Sequence, residues 1–138
     1  MIHRYDFGSP IDTGATVRSL PVSGGTLSYF TVSRRDESLC FSLSLQEDDI
    51  IFGLGEANRG INKRGYLYSS WNSDDGLHTE SKHALYASHN FLIIFGKGRC
   101  FGAFFDDPGL MHFDLGYTKT DEAVITSING DLSLYIFE

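Results

Sequence analysis

An aromatic and acidic segment near the middle of the chain carries the residues best suited to bind a ligand. Trp71 and Asp74 stand close together, and Tyr66, Tyr68 and Tyr86 lie near them in sequence. Aromatic rings present apolar faces that can stack on the C–H faces of sugar rings. A carboxylate can accept hydrogen bonds from two sugar hydroxyls at once. This combination predicts contact with a carbohydrate.

Two pairs of adjacent acids, Asp74–Asp75 and Asp106–Asp107, raise the question of glycosidase catalysis. Glycosidases need two carboxylates, but these must flank the scissile bond of a sugar. Neighbouring side chains on a loop point in different directions, and aspartate is a common turn residue. We therefore interpret both pairs as turn chemistry, and the aromatic neighbours single out Asp74 as a sugar contact.

Two other patterns could indicate a cofactor or a metal. Gly53–Gly55 resembles the start of a nucleotide-binding loop, but no amphipathic helix follows to bind a phosphate. His78, His83 and His89 cluster with Glu80, yet no Pro-Cys-x-x-Cys motif follows to complete a zinc site. Hydrogen bonding within a loop is the favoured role of these histidines, with a metal site as the alternative. We expect no cofactor and no bound metal.

Length and charge limit the possible functions. The 138 residues suffice for one domain with a single core. A net charge of −7 argues against nucleic-acid binding, because such a surface repels a phosphate backbone. No apolar run reaches the roughly 18 residues of a membrane-spanning helix, and no secretory signal is visible. Cys40 and Cys100 stand far apart in apolar runs, which predicts buried free thiols and a cytoplasmic protein.

Strict alternation marks the first well-defined strand. Apolar and small residues alternate from Leu39 to Leu45, which is the period of a half-buried strand. The charged residues 34–37 before it predict a hairpin turn that connects it to a strand over residues 26–32. Prolines and glycines in residues 1–25 predict an edge strand and loop.

Two later pairs of runs predict further hairpins. Residues 90–95 and 100–105 are apolar enough to predict two strands covered on both faces. Residues 123–128 and 132–137 flank Asn129–Gly130, a strong signal for a two-residue turn. Around the last run, alternate residues should face inward (Leu132, Leu134 and Ile136) and outward (Asp131, Ser133 and Tyr135). Because no apolar stripe of helical period persists, the chain is predicted to be all-β, an antiparallel sandwich or barrel.

The motifs from residue 50 onward, taken in order, resemble the amino-terminal domain of family 31 glycoside hydrolases, which include α-glucosidases and α-xylosidases. The motifs are Phe52-Gly53-Leu54-Gly55-Glu56, Asn62-Lys63-Arg64-Gly65-Tyr66, Trp71-Asn72-Ser73-Asp74, Leu85-Tyr86, Phe101-Gly102-Ala103-Phe104-Phe105-Asp106-Asp107-Pro108 and Phe113-Asp114-Leu115-Gly116. The resemblance implies an antiparallel β-sandwich of the galactose-mutarotase-like (supersandwich) kind, as one domain over residues 1–138.

The resemblance also implies that catalysis takes place in a (β/α)8 barrel that these residues do not contain. Both catalytic aspartates of the family lie in that barrel and act with retention, which implies no catalytic residue here. A loop of the amino-terminal domain contacts the α-glucoside substrate, and Asp74 and Tyr86 match its aspartate and tyrosine, with Trp71 in the same motif. Ser73 stands where the family often has an arginine, which bears on linkage preference. The fragment alone is expected to be inactive.

Two other functions are compatible with the same residues: a free-standing carbohydrate-binding sandwich and a purely structural or interaction domain. The strand-like last residues predict a piece of a longer protein. A domain separated from its barrel should expose an apolar docking face larger than a few hundred Å². The isolated piece could then self-associate through that face. A surface without such a patch would favour the free-standing sugar binder.

Overall fold

The computed structural model describes residues 1–138 as two five-stranded antiparallel sheets packed face to face. The strands are β1 Ile2–Phe7, β2 Thr31–Arg35, β3 Ser38–Ser44, β4 Ile50–Leu54, β5 Leu67–Ser70, β6 His89–Gly96, β7 Arg99–Asp106, β8 Met111–Leu115, β9 Glu122–Ser127 and β10 Leu132–Phe137, with a 3-10 helix at Thr16–Ser19. This arrangement confirms the predicted all-β sandwich. None of its helical structure has the length and hydrophobicity that crossing a bilayer requires.

The two sheets meet in one aromatic and aliphatic core. The first sheet has the strand order β1-β10-β7-β6-β4 and the second has the order β2-β3-β9-β8-β5. Phe105 on the first sheet lies edge-on to Phe41 and Phe113 on the second, with ring centroids 5.3 and 6.3 Å apart. Edge-to-face pairs of this kind are favourable beyond their buried area. The predicted hairpins β2–β3 and β6–β7 are both present, although β2 covers residues 31–35 rather than the predicted 26–32, and β1 is the predicted edge strand.

The predicted hairpin at Asn129–Gly130 is wrong. Strand β9 lies between β3 and β8 in the second sheet, so both of its edges are already paired. Strand β10 therefore crosses to the first sheet, where it pairs with β1 and β7. Glycine is still required at position 130, where φ is +70° and a Cβ would lie 2.3 Å from the Glu37 carbonyl oxygen.

The predicted outward exposure of Ser133 and Tyr135 is also wrong, because both are fully buried. The chain between β1 and β2 lies over this end of the first sheet. The Arg4 guanidinium, next to Tyr135 on the outer face, donates to the carbonyls of Arg18 and Leu20 at 2.6 and 3.0 Å. Ser133 donates its hydroxyl to Asp6 at 2.7 Å. A surface that alternation predicts as exposed is thus covered by a distant loop.

The opposite error occurs on β6 and β7, whose outer face was predicted to be covered. Ile93 is 37% exposed and Phe95 52% exposed, and the neighbouring Cys100 is exposed as well. Cys40 is buried as predicted, and both thiols are free. In the pairing register, apolar residues from four strands share this outer face: Ile2, Ile50, Phe52, Ile93, Phe95 and Phe137. We call this set the outer apolar face.

A buried ion pair ties the two sheets together beside the outer apolar face. Asp49 is 2% exposed and accepts hydrogen bonds from the Arg99 guanidinium, including one at 3.1 Å. It also accepts the Gln46 backbone N–H at 2.7 Å. Arg99, at the start of β7, donates in addition to the Ser44 carbonyl at the end of β3, at 2.8 Å. Asp49 therefore joins the β3–β4 connection to the β6–β7 hairpin.

Candidate functional site

The loop between β5 and β6 holds all three residues predicted to contact sugar: Trp71, Asp74 and Tyr86. It runs from residue 71 to residue 88. Irregular loops longer than about 12–15 residues are uncommon in compact domains and are usually functional or disordered. The Ser73 backbone N–H donates to the Leu85 carbonyl at 3.1 Å, and the Leu85 side chain is buried. Asp74 and Tyr86 therefore lie on either side of this crossing point of the loop.

The segment between β4 and β5 holds the far end of the loop in place. Arg59 donates to the Glu80 carbonyl at 2.9 Å and to the Leu67 carbonyl at 3.0 Å. Its guanidinium also lies 4.4 Å from the centroid of the Tyr66 ring, a cation–π contact. The pKa of the nearby Lys63 is lowered, mainly because the ammonium is partly buried and secondly because of the positive charge of Arg59. The loop is thus anchored by backbone and side-chain contacts rather than by a core of its own.

The two adjacent aspartates of the loop have different roles. Asp75 accepts the Leu77 N–H at 2.9 Å and pairs with Lys82, and the Lys82 hydrogen bond is the main cause of the lowered pKa of Asp75. Asp75 therefore stabilises the loop through contacts within it, which agrees with its interpretation as a turn residue. Asp74 is exposed, and its carboxylate has no partner within the chain. It is free to accept hydrogen bonds from a ligand.

Tyr86 is 41% exposed and packs edge-on against the His78 ring, with the centroids 5.2 Å apart. His83 and His89 lie elsewhere: the Ser69 N–H donates to the His83 carbonyl at 2.8 Å, and the His89 ring packs beneath Gly55. No group of three His, Cys, Asp or Glu side chains has an arrangement that could hold a metal ion. His83 and His89 both border one small cavity beneath the loop, whereas His78 lies against Tyr86 and does not border it.

Trp71 lines an open cleft of about 370 Å³ that contains neither Asp74 nor Tyr86. Its indole is 61% exposed. The other lining residues come from β5, from both ends of the loop, from β6 and from the turn after β7: Ser70, Asn72, Ser88, Asn90, Asp107, Pro108 and Gly109. The structure therefore separates Trp71 from the other two predicted sugar contacts.

Sequence reasoning missed Asn90, whose signal was a polar side chain inside an otherwise apolar strand. Asn90 is 9% exposed, and its Nδ2 donates to the Asp107 carbonyl at 2.9 Å. Its Oδ1 has no partner.

The Asp107 carboxylate accepts from the Gly109 N–H at 2.7 Å and from the Ser127 hydroxyl, while Asp106 accepts the Thr13 hydroxyl at 2.7 Å. This second acid pair is structural, as predicted.

The comparisons with known proteins agree with this architecture. The family profile described as the glycosyl hydrolase 31 N-terminal galactose mutarotase-like domain matches residues 15–114. Alpha-glucosidase 2 of Bacillus thermoamyloliquefaciens is 32% identical over 102 residues, covering 73% of this chain and 13% of that protein. Alpha-xylosidase XylQ of Lactiplantibacillus pentosus is 28% identical over 94 residues, covering 68% of this chain and 12% of that protein.

A solved relative has the same fold. The GH31 dextranase FjDex31A of Flavobacterium johnsoniae superposes with a TM-score of 0.69 and 27% sequence identity, over 80% of this chain and 13% of that chain. The matched part of the chain thus covers only about one-eighth of the length of each of these three proteins. Profile, sequence relatives and fold all identify one family. The chain belongs to the family of glycosyl hydrolase 31 N-terminal galactose mutarotase-like domains.

Proposed function

We propose that this chain is the non-catalytic amino-terminal domain of an α-glucosidase, whose barrel hydrolyses terminal α-linked glucose with retention. The domain supplies the loop of residues 71–88 to the barrel's active site, where Asp74 and Tyr86 contact the sugar. The observation that carries the proposal is the exposed Asp74 carboxylate, unpaired on a loop that is otherwise anchored at several points. Sites of this kind are commonly built on loops held by a rigid scaffold.

The barrel is the proposed partner of the outer apolar face. Three of its members, Ile2, Ile93 and Phe95, are each more than one-third exposed. Large contiguous apolar patches on a domain surface mark interaction sites. Contacts between domains of one chain typically bury such surface. In the 138-residue chain alone the same face is free to pair with a second copy.

Phe95→Lys is expected to abolish concentration-dependent self-association of the 138-residue chain, because it replaces the most exposed side chain of the outer apolar face with a charge. Sedimentation velocity over a dilution series measures this. Tyr117→Lys is the matched control, since Tyr117 is 62% exposed in the turn after β8 and lies outside the face. A wild-type chain that stays monomeric at every concentration would contradict the prediction, as would equal effects of the two variants.

Hydrolysis of p-nitrophenyl α-glucoside tests the proposed function. The 138-residue chain is assayed beside a longer polypeptide that continues the same gene through the barrel. Activity is expected only in the longer polypeptide, because in the proposed arrangement both catalytic carboxylates belong to the barrel. Activity in the 138-residue chain would overturn the proposal and place a catalytic pair among residues assigned to turns.

A further inference from the structure

We propose that the cleft lined by Trp71 binds a neutral pyranose ring, as a second carbohydrate contact distinct from the Asp74 site. This goes beyond the proposed function, because the cleft is complete within the 138 residues and needs no barrel. Its volume of about 370 Å³ falls within the range of small-molecule pockets, about 300–1,000 Å³. The assignment follows from what lines the cleft.

The apolar part of the cleft is suited to a ring. Trp71 is 61% exposed and lines the cleft. The Pro108 ring, in the turn after β7, lines it as well. An exposed indole on a soluble domain has a large apolar surface without a protein partner. The axial C–H groups of a pyranose fit such a surface, whereas an acyclic polyol has no rigid apolar face to present.

The polar part of the cleft is neutral. Amides and hydroxyls line it, from Asn72, Ser88 and Asn90 among others. The only acid in the lining is Asp107, and both of its carboxylate oxygens already accept hydrogen bonds from Gly109 and Ser127. No Lys, Arg or His lines the cleft. A ligand with hydroxyls and without charge matches this set of groups.

Asn90 has hydrogen-bonding capacity to spare. Its Nδ2 is bound to the Asp107 carbonyl, but its Oδ1 is buried without a partner. Buried polar groups are nearly always paired, so an unpaired one calls for a ligand or an ordered water. Asn90 also borders a small cavity of about 10 Å³ beneath the loop, near the lower limit for holding a single water. Because the Oδ1 has almost no exposed surface, a sugar hydroxyl would reach it only through a water held in that cavity.

A larger groove of about 480 Å³ on the outer side of the second sheet is a weaker candidate. Its polar groups are mostly satisfied within the protein. Ser69 and His112 bond to each other at 3.0 Å, Lys119 pairs with Glu122, and Asp114 accepts the N–H groups of Tyr117 and Thr118. The groove is also lined by charged side chains, including Arg35, Lys119 and Glu122, and this lining does not match a neutral ligand.

Trp71 is the only tryptophan in the chain, so the cleft carries its own reporter. The test is titration of the 138-residue chain with isomaltotriose and with maltotriose, followed by tryptophan fluorescence and by the NMR signals of the Trp71 indole N–H and the Asn90 amide. Saturable changes in both signals are expected, with millimolar affinity. Sorbitol, which has hydroxyls but no ring, should produce no saturation.

Two variants locate the binding. Asn90→Ala and Ser88→Ala should each raise the Kd. For Asn90→Ala the increase should be about tenfold, the effect of losing a hydrogen bond that leaves a partner unsatisfied. Tyr117→Ala, which removes an equally exposed aromatic far from the cleft, should leave the Kd unchanged. The proposal is overturned if no signal saturates with either sugar, if sorbitol binds as well, or if the shifted signals lie elsewhere. Any of these results would leave the Asp74 proposal standing, since that is tested by activity of the longer polypeptide.

Discussion

Asp49→Ala is expected to destabilise the sandwich by about 3–5 kcal/mol, the cost of removing one partner of a buried ion pair. The substitution leaves the Arg99 guanidinium, whose side chain is only 15% exposed, with the Ser44 carbonyl as its remaining acceptor. It also removes the acceptor of the Gln46 N–H. Urea unfolding at neutral pH, followed by far-ultraviolet circular dichroism, measures the free energy of unfolding.

The contribution of Asp49 should depend on pH in a defined direction. Burial raises the pKa of Asp49, but the Arg99 hydrogen bonds, the Gln46 N–H and the Arg99 and Arg64 charges outweigh burial, so the pKa lies below its ordinary value of 3.8. A lowered folded-state pKa stabilises the protein above the unfolded pKa, and this stabilisation is lost as pH falls through the folded value. The difference between wild type and Asp49→Ala should therefore be complete near neutral pH and shrink below pH 3.8.

Two further variants separate the ion pair from general effects. Asp49→Asn keeps the shape and one acceptor oxygen, so it should lose less stability than Asp49→Ala. It should also remove the part of the pH dependence of unfolding that the Asp49 carboxylate contributes. Glu122→Ala breaks the pair with Lys119, whose side chain is 67% exposed, and should cause no comparable loss because exposed pairs contribute little. Equal losses from Asp49→Ala and Glu122→Ala would contradict the buried-pair argument.

In the longer polypeptide, Asp74→Ala is expected to lower kcat/KM for α-glucosides by about tenfold or more. This is the size of the effect when a hydrogen bond to a charged partner is lost. No stability loss should accompany it, because the Asp74 carboxylate has no partner within the chain. Steady-state kinetics with p-nitrophenyl α-glucoside, beside thermal unfolding, distinguish the two effects.

The neighbouring acid provides the matched comparison. Asp75→Asn weakens the contacts with Lys82 and the Leu77 N–H without touching Asp74, so it reports the effect of loop shape alone. Its effect on kcat/KM should be smaller than that of Asp74→Ala. Unchanged kinetics in Asp74→Ala would remove Asp74 from the substrate site. An equal loss in Asp75→Asn would assign the effect to the loop rather than to the carboxylate.

Sequence patterns predicted elements better than they predicted the pairing of elements. Alternation from Leu39 to Leu45 identified β3, and the β6–β7 hairpin followed from two apolar runs around a short glycine turn. Asn129–Gly130 carried an equally strong local signal, yet β9 and β10 lie in different sheets. A turn motif specifies a change of direction, whereas the partner of a strand depends on which sheet edges remain unpaired.

Local sequence patterns were equally unable to predict how the residues of the candidate site are arranged in space. Trp71, Asp74 and Tyr86 are grouped by their proximity in sequence and by two neighbouring motifs of the family resemblance. In the structure, Asp74 and Tyr86 flank one crossing of the loop, while Trp71 lines a separate cleft with Asn90. Proximity in sequence within a long irregular loop does not specify the direction of each side chain. The Asn90 side chain is held at the cleft by its hydrogen bond to the Asp107 carbonyl, a contact that no local pattern reveals.

The sequence by itself determined the β-class, most of the strands and the family, because alternation, turn residues and ordered motifs are local properties of the chain. Only the tertiary structure decided which surfaces are covered. Tyr135 is buried because a loop between β1 and β2 lies over it, and Phe95 is exposed because no segment of the chain reaches it. Burial depends on contacts between residues far apart in sequence, and the hydrophobicity of one strand cannot specify what packs against its second face.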